Sequence, residues 1–489
     1  MHNARCESLH SWHSDWSELR VAVLGLGVTG FSVADTLVEL GCRVMVVAAT
    51  ADQLRLDMCS VLGITVILDQ SDDGVPNDLV EFEPELVIVS PGYHPTHPIL
   101  KWSAENNVSV WGDIELAWRV RDKIGTPGEW ILVTGTNGKT TTTQLASHML
   151  LHAGFSVAPC GNIGVPVLDA VRDPAGFDFL VVEISSYQLH SLRHVAPMSS
   201  VCLNVAPDHL DWHGGFDEYV AAKAKVYANT KVACVYNRSD ARTQRMVEEA
   251  DVTEGARAIG FGLDSPGPSD FGLVDGILLD RAFLDNRHAE ALEITTVDEL
   301  RENGLHSPHM VANILAASAL ARSVGASIDA VADALRDFRV DAHRYETIAE
   351  IDGVTWIDDS KATNPHAADA SLSANSSVVW IVGGLLKGVS IDDLVRRHAP
   401  RLKAAIVIGL DRTEVVRAFG QHAPHLPVVE VQTSETESVM EVAVGTAATF
   451  VAHGDVVLLA PAAASMDQFT DYAQRGRLFA EAVRSHLGQ

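Results

Sequence analysis

The sequence predicts an α/β protein of three domains, each organised on a largely parallel sheet. Short runs rich in β-branched residues alternate with helical stretches from Arg20 onward, and most of these runs open into glycine-bearing or polar turns. At 489 residues the chain is also too long for one core, and its length suggests about three domains. The expected division is an N-terminal Rossmann-like domain over 17–117, a central P-loop ATPase-like parallel sheet over 118–340, and a C-terminal Rossmann-like domain over 341–489.

In the first domain, Arg20 to Leu24 reads as a strand. It runs into Gly25-Leu26-Gly27-Val28-Thr29-Gly30 and a helix through Leu40, and Arg43 to Val47 is a second strand. A dinucleotide site wants an acidic residue at the end of that second strand. Ala48, Ala49 and Thr50 stand there, which weakens an NAD-dependent dehydrogenase and leaves a turn for some other diphosphate. Leu86 to Val89 then opens into Ser90-Pro91-Gly92, and Val108 to Val110 follows.

The second domain opens on Trp130 to Val133, the turn Thr134-Gly135-Thr136-Asn137-Gly138-Lys139-Thr140-Thr141, and a helix over Gln144 to Ala153. Strand, glycine turn and helix N-terminus in this order make a phosphate loop: backbone N–H groups, the helix dipole and a lysine converge on an anion, with the threonine hydroxyl available to magnesium. Val133 stands where the usual first glycine belongs, so an ordinary strand-turn-helix corner is the competing reading. Gly161-Asn162-Ile163-Gly164 is a turn, and Phe179 to Val182 is a buried strand ending in Glu183, placed to ligate magnesium. Val201 to Val205 leads to Ala206-Pro207-Asp208-His209-Leu210-Asp211-Trp212-His213, a set suited to metal ligation, proton transfer or a purely structural role. On a helix over Phe216 to Tyr227, spacing alone puts Lys223 and Lys225 on a solvated face. A small β excursion is expected over Ala258 to Leu300, then amphipathic helices over Pro308 to Arg322 and Ile328 to Phe338.

The third domain repeats the alternation, with strands at Val354 to Ile357, Val378 to Val382, Ala404 to Ile408, Val428 to Val431 and Val456 to Leu459. All but the fourth open into loops suited to ligands: Asp358 to Asn364, Gly383 to Gly388, Gly409 to Arg412 and Ala460 to Ser465.

Composition bounds the function. The chain is 47% hydrophobic and 20% charged, ordinary for a soluble enzyme. With 36 Lys plus Arg against 64 Asp plus Glu, its net charge of −28 repels nucleic acid and anionic membrane. Any anionic ligand must then be met by local cations. Six dispersed cysteines show no C-x-x-C spacing, and all but Cys6 sit in or beside apolar runs, as expected of reduced thiols in a cytoplasmic protein. The segment up to Glu18 lacks the apolar core of a signal peptide, and no run is long enough to span a membrane.

Taken together, Gly-Thr-Asn-Gly-Lys-Thr, Glu183-x-Ser-Ser-x-Gln-Leu, Asn204-x-x-x-Asp208-His209-x-Asp211, Ala-Ala-Lys223, His343-Arg344 and Asp359-Ser-Lys-Ala-Thr-Asn364 resemble the Mur ligases, in order, from about Val21 to Phe479. The short phosphate loop of that family accounts for Val133. The Asp-Ser-Lys-Ala-Thr-Asn run and Ser465-Met-Asp-Gln-Phe469 point to the branch that adds D-glutamate.

The resemblance implies three domains, for a UDP-sugar, ATP and the amino acid. It also implies ATP-dependent joining of D-glutamate to UDP-N-acetylmuramoyl-L-alanine through an acyl phosphate, in peptidoglycan precursor synthesis. ATP would lie on Gly135, Thr136, Asn137, Gly138, Lys139, Thr140 and Thr141, with Asn313, Arg344 and Asp359. Thr140 and Glu183 would hold one Mg2+, and His209 with a carbamylated Lys223 a second. The UDP-sugar would meet Gly27, Val28, Thr29, Ser90, Gly92, Asn162, Ser185 and Gln188. D-Glutamate would meet Lys361, Thr363, Lys387, Ser465, Met466 and Tyr472. Lys139, His209, Lys223 and Lys361 form the implied catalytic set. Small molecules are the implied partners, with a monomer as the acting form.

The sequence departs from the family pattern at Ala48 and Ala49, where an acidic residue and a threonine would address uracil, at Met310, where an asparagine is expected near adenine, and at Tyr472, where a phenylalanine is expected. Two enzyme readings stay open beside this one, an amide ligase of the same fold adding another amino acid and the dehydrogenase, together with a nucleotide-binding regulator that does no chemistry.

Overall fold

The computed structural model describes residues 2–69, 74–433 and 435–488. It contains three sheets in two compact units. The first unit runs to Val205 and resumes over Val220–Phe338; the second takes Ala206–Tyr219 and the chain from Arg339 onward.

Two sheets lie in the first unit. Strands β1 (Arg20–Leu24), β2 (Arg43–Ala48), β3 (Thr65–Leu68), β4 (Leu86–Val89) and β5 (Ser109–Gly112) pair in parallel in the order β3-β2-β1-β4-β5. The order reverses between β1 and β4, so the loops leaving these two strands flank a crevice. The Ser90 N–H donates to Leu24 O at 3.0 Å. Gly25 has φ +95, and a Cβ there would come within 2.8 Å of Ser90 Oγ, so only glycine lets the two loops close up.

The central sheet comprises β6 (Glu129–Thr134), β7 (Val157–Gly161), β8 (Phe179–Glu183), β9 (Ser199–Cys202), β10 (Ala233–Asn237), β11 (Arg257–Phe261), β12 (Asp270–Val274), β13 (Ile277–Asp280) and β14 (Leu292–Thr296). Its order is β14-β13-β12-β11-β10-β9-β6-β8-β7, with the phosphate-loop strand β6 between β9 and β8. The expected β excursion is the far edge of this sheet, where β12, β13 and β14 turn antiparallel.

Several expectations shift in detail. The helix after the phosphate loop begins at Lys139 and runs to His152, because Gly138 at φ +85 ends the turn immediately before it. The strand expected at Val201–Val205 is Ser199–Cys202, and the helix from Phe216 is α-helical to Ala224 and then 3₁₀ over Lys225–Tyr227. Cys6, read as lying outside the apolar runs, is fully buried. The N-terminal segment that carries it docks through Leu9 and Trp16, and Arg119 donates to Leu9 O at 3.0 Å and to Cys6 O at 3.4 Å. The cysteines are all free thiols.

The second unit holds β15 (Glu346–Ile351), β16 (Val354–Asp358), β17 (Val378–Gly383), β18 (Leu402–Ile408), β19 (Val428–Glu430) and β20 (Val456–Leu459) in the order β15-β16-β20-β17-β18-β19. Only β15, an edge strand paired with β16, is antiparallel. Trp380, Phe419 and Leu394 pack one face of the sheet, and Met440, Phe479 and Val483 pack the other. Both faces are covered, which explains why β17 and β20 read as unbroken apolar runs. Among the described residues no helix is long and apolar enough to cross a membrane.

Candidate active site

In the first unit the phosphate loop is clamped from the side. Asn204, just past β9, accepts from Asn137 N (2.9 Å) through Oδ1 and donates to Asn137 O (3.1 Å) through Nδ2, while its own carbonyl accepts from Thr136 N (3.0 Å). Asn313 packs over the loop, so that a Cβ on Gly138 would lie 2.5 Å from its Oδ1. Lys139 Nζ curls back to Gly135 O at 2.9 Å and Thr136 O at 3.0 Å. Thr140 and Thr141 are buried at the start of the helix.

Glu183 ends β8, paired in register with Val133 of β6. It is 1% exposed; Oε1 accepts from Asn162 Nδ2 at 2.9 Å, and Oε2 is buried with no hydrogen-bond partner. A carboxylate oxygen left so is costly unless something cationic meets it. A magnesium ion fits that requirement in charge and donor type.

Lys223, expected from spacing alone on a solvated face, is 1% exposed. The turn of the helix brings its Nζ to 2.9 Å from Gly135 O and 3.4 Å from Thr134 Oγ1, under the phosphate loop. The solvated reading fails because neighbours along the chain do not reveal which side of a helix the sheet covers.

Ser185 and Gln188 cap the short helix Ser186–His190 reciprocally. Gln188 Oε1 accepts from Ser185 N at 3.0 Å and its Nε2 donates to Asp113 Oδ2 at 2.9 Å, so both ends of its amide are engaged. Burial pushes Asp113 up to about 6, against the lowering hydrogen bond from Gln188. In the first sheet Ala48 is buried at the end of β2 and offers no polar group. Gly27 caps the helix Val28–Glu39, placing Val28 and Thr29 in its first turn, while Ser90 and Gly92 follow β4. Beside that turn is a cavity of about 520 Å3, lined by Val28, Phe31, Asp52, Arg55, Met58 and Arg172 among others.

In the second unit Asp208, His209 and Lys387 form one cluster. Lys387 Nζ lies 2.6 Å from Asp208 Oδ1 and 3.5 Å from His209 Nε2, and the lysine and aspartate are mostly buried. His209 (φ 53) and Lys387 (φ 53) are both left-handed, a costly conformation for side-chain-bearing residues that recurs at functional sites. Lys361 Nζ sits 3.7 Å over the Tyr472 ring. The Lys387 loop is tied to the Ser465 loop by paired backbone bonds between Leu385 and Ala464 (3.0 and 2.9 Å). Ser465 is buried there and Met466 is exposed, and Thr363 N donates to Lys361 O at 2.8 Å.

Asp359 is half-buried, and the loss of water around its carboxyl pushes it up to about 6, outweighing hydrogen bonds from Ser371 Oγ and Tyr345 N and the charge of Arg344. Its neighbour Asp358 accepts from His343 Nδ1 at 2.6 Å, a bond that raises the imidazole pKa.

Two residues outside the sequence-based set hold these loops. Asn204 stood inside a recognised motif without a role. Arg475 carried no signal, since an arginine on a helix reads as solvent-facing. It is 1% exposed, and it donates to Ser360 O (2.8 Å), Ser360 Oγ (3.0 Å) and Ala463 O (3.2 Å). Burial lowers its pKa to about 10.

Residues 133–321 match the Mur ligase middle domain, and residues 343–463 match the Mur ligase, glutamate ligase domain. A UDP-N-acetylmuramoylalanine--D-glutamate ligase of Leifsonia xyli subsp. xyli is 62% identical, with 99% of this chain and 96% of the relative covered. The like-named protein of Streptomyces avermitilis is 48% identical over 96% of this chain and 99% of its own length. Among solved structures, the UDP-N-acetylmuramate-alanine ligase of Thermotoga maritima is 19% identical with a TM-score of 0.56, covering 96% of this chain and 99% of that one. A pseudomurein peptide ligase type C from Methanothermus fervidus is 16% identical with a TM-score of 0.57, covering 95% and 99%. At those identities the two structures speak for the fold alone. Identity of this extent to curated relatives, over nearly the whole chain and across both matched domains, makes the chain a member of the Mur ligase family of ATP-dependent, amide-bond-forming ligases.

Proposed function

We propose that the protein joins D-glutamate to UDP-N-acetylmuramoyl-L-alanine at the expense of ATP, in the synthesis of peptidoglycan precursors. The observation that carries this reading is the clamped phosphate loop beside a buried, unpartnered Glu183 oxygen, in a chain whose 62% identical relative bears that activity in its name. The proposed division assigns 17–117 to the UDP-sugar, 118–340 to ATP and 341–489 to the amino acid.

A carboxylate resists an amine because its charge repels the nucleophile and oxide is a poor leaving group. The L-alanyl carboxylate oxygen therefore attacks the γ-phosphorus, the bond to the bridging oxygen breaks, and ADP leaves. The nitrogen of D-glutamate, as free amine, then attacks the acyl carbon of the acyl phosphate. A C–N bond forms, the C–O bond to phosphate breaks, and phosphate and a proton depart.

Positioning and charge neutralisation supply most of the catalysis of phosphoryl transfer. Backbone N–H groups from Gly138 to Thr141 cradle the phosphates, while those of Thr136 and Asn137, held by Asn204, fix the shape of the loop. Lys139, which now donates to two neutral carbonyls, exchanges them for anionic β/γ oxygens. Asn313, Arg344 and Asp359 orient the nucleotide. Thr140 and Glu183 would hold one Mg2+, and His209 with a carbamylated Lys223 a second; bound there, such ions neutralise phosphate charge. Gly27, Val28, Thr29, Ser90, Gly92, Asn162 and Ser185 receive the UDP-sugar, with Gln188 bracing the loop that carries Ser185. Lys361, Thr363, Lys387, Ser465, Met466 and Tyr472 receive D-glutamate, whose carboxylates compete with Asp208 for Lys387.

Uracil lacks the acidic residue expected near Ala48. Asp52 and Arg55, which line the cavity beside Val28, are suited to take over reading its donor and acceptor edge. Substituting both with alanine is expected to raise the KM for the UDP-sugar at least tenfold with the KM for ATP unchanged; an unchanged UDP-sugar KM rejects this assignment.

The chain acts as a monomer in this reading, and the use of ATP with a nucleotide-activated sugar is in keeping with a cytoplasmic reaction. ADP formation that requires both D-glutamate and UDP-N-acetylmuramoyl-L-alanine is the expected result with purified protein. Phosphate release with another amino acid in place of D-glutamate would move the assignment to a different ligase of the family.

A further inference from the structure

We propose that His148, His152 and Asp337 form a surface site for a divalent transition cation of the zinc, cobalt or nickel class, separate from the nucleotide site and independent of the substrate assignment above. His148 and His152 stand one turn apart at the end of the helix Lys139–His152, so their imidazoles share a face. Asp337 is the last residue of the helix Ile328–Asp337.

The two Nε2 atoms lie 2.7 Å (His148) and 3.4 Å (His152) from the same Asp337 oxygen, and one donor atom from each of the three residues falls within 4.8 Å of the others. Metal–ligand bonds of ~2.0–2.2 Å in a tetrahedron place ligand atoms about 3.3–3.5 Å apart. The His152 contact has that spacing already, and the His148 contact need open by about 0.6–0.8 Å, within reach of a side-chain torsion at this partly exposed position. The three side chains are partly exposed, so water can complete the coordination.

A further feature favours a cation: both helices end at the cluster, and their last-turn carbonyls present negative potential to it. The donor set excludes magnesium as the natural occupant: two imidazoles suit zinc, cobalt and nickel, whereas magnesium takes oxygen ligands and keeps its water. The Phe338 ring, 5.7 Å from that of His148, borders the site and is the last residue of the first unit. An ion bound here would pin the last residues of that unit to the far end of the phosphate-loop helix.

The test is titration of chelator-treated, full-length protein with Co2+, followed by visible ligand-field absorption and by thermal melting. Wild type is expected to develop a tetrahedral-type spectrum at one equivalent and to melt higher. Zinc should displace the signal, and millimolar Mg2+ should not. His152→Ala and Asp337→Asn, both at exposed positions, are each expected to weaken binding at least tenfold while keeping the melting temperature of the metal-free protein. The proposal is overturned if wild type binds no Co2+ below millimolar concentration, or if either variant binds it as wild type does.

Discussion

Lys139 and Asp359 are ionisable groups placed in opposite settings, and each has a measurable consequence. Lys139 stands over the phosphate loop, where it donates to the carbonyls of Gly135 and Thr136 and is placed to meet the phosphates of a bound nucleotide. Lys139→Ala should lose about 3 kcal/mol of transition-state stabilisation, roughly a hundredfold or more in kcat/KM. Phosphate release close to the wild-type rate would remove the loop from the mechanism.

Asp359 is held at about 6 by burial, above its value in the unfolded chain. The folded state therefore keeps a proton that the unfolded state has released, and stability falls as pH rises through 6. Above that pH the ionised group costs up to roughly 3 kcal/mol. Asp359→Asn removes the cost, so its melting temperature relative to wild type should climb between pH 4.5 and 7.5 while ATP turnover drops. A pH-independent difference would mean that Asp359 titrates normally. The sequence showed both residues through their motifs. It did not show that Lys223 is buried or that Gln188 is taken up in a capping box, since burial and partnership are properties of what packs against a residue.

Loops at strand ends form the site, and each is held by a residue behind it. Asn204 fixes the phosphate loop through its backbone. Arg475 joins the loop after β16 to the loop after β20, a charge kept in the interior because three oxygens would otherwise lose their donor. Arg475→Lys cannot reproduce three directed bonds from one planar group. It should destabilise the protein by about 2–3 kcal/mol and raise the KM for D-glutamate several-fold, with a smaller change in the KM for ATP. Equal changes in both constants would indicate general loosening and not the positioning of these loops. Strands of the central and C-terminal sheets were legible where both faces are covered, because their apolar runs are continuous. Edge elements such as β3 and β15 were missed, since a half-exposed strand mixes polar and apolar residues as a loop does.

An acyl phosphate is lost if water reaches it, so productive turnover needs a site that closes around its substrates. The chain passes from the first unit to the second for the last time at Phe338–Arg339, close to the domain bound expected at 340. The other expected bound, at 117, falls within a helix. Ala117 lies in a wholly buried helix, Asp113–Arg119, held by Gln188 on Asp113 and by His194 on Glu115. X-ray scattering should show contraction when an ATP analogue and the UDP-sugar are added together, and superimposable curves would count against closure.

By itself the sequence determined the α/β class, the phosphate loop and the family, because glycine turns, charged residues at strand ends and continuous apolar runs are local signals with local causes. Only the tertiary structure decided that Asn204 grips the phosphate loop, that Lys223 lies beneath it, that Asp208 pairs with Lys387, and that His148 and His152 meet Asp337. Those pairings join residues up to 189 positions apart. What sets them is the order in which strands pack into sheets, and no stretch of chain records it on its own.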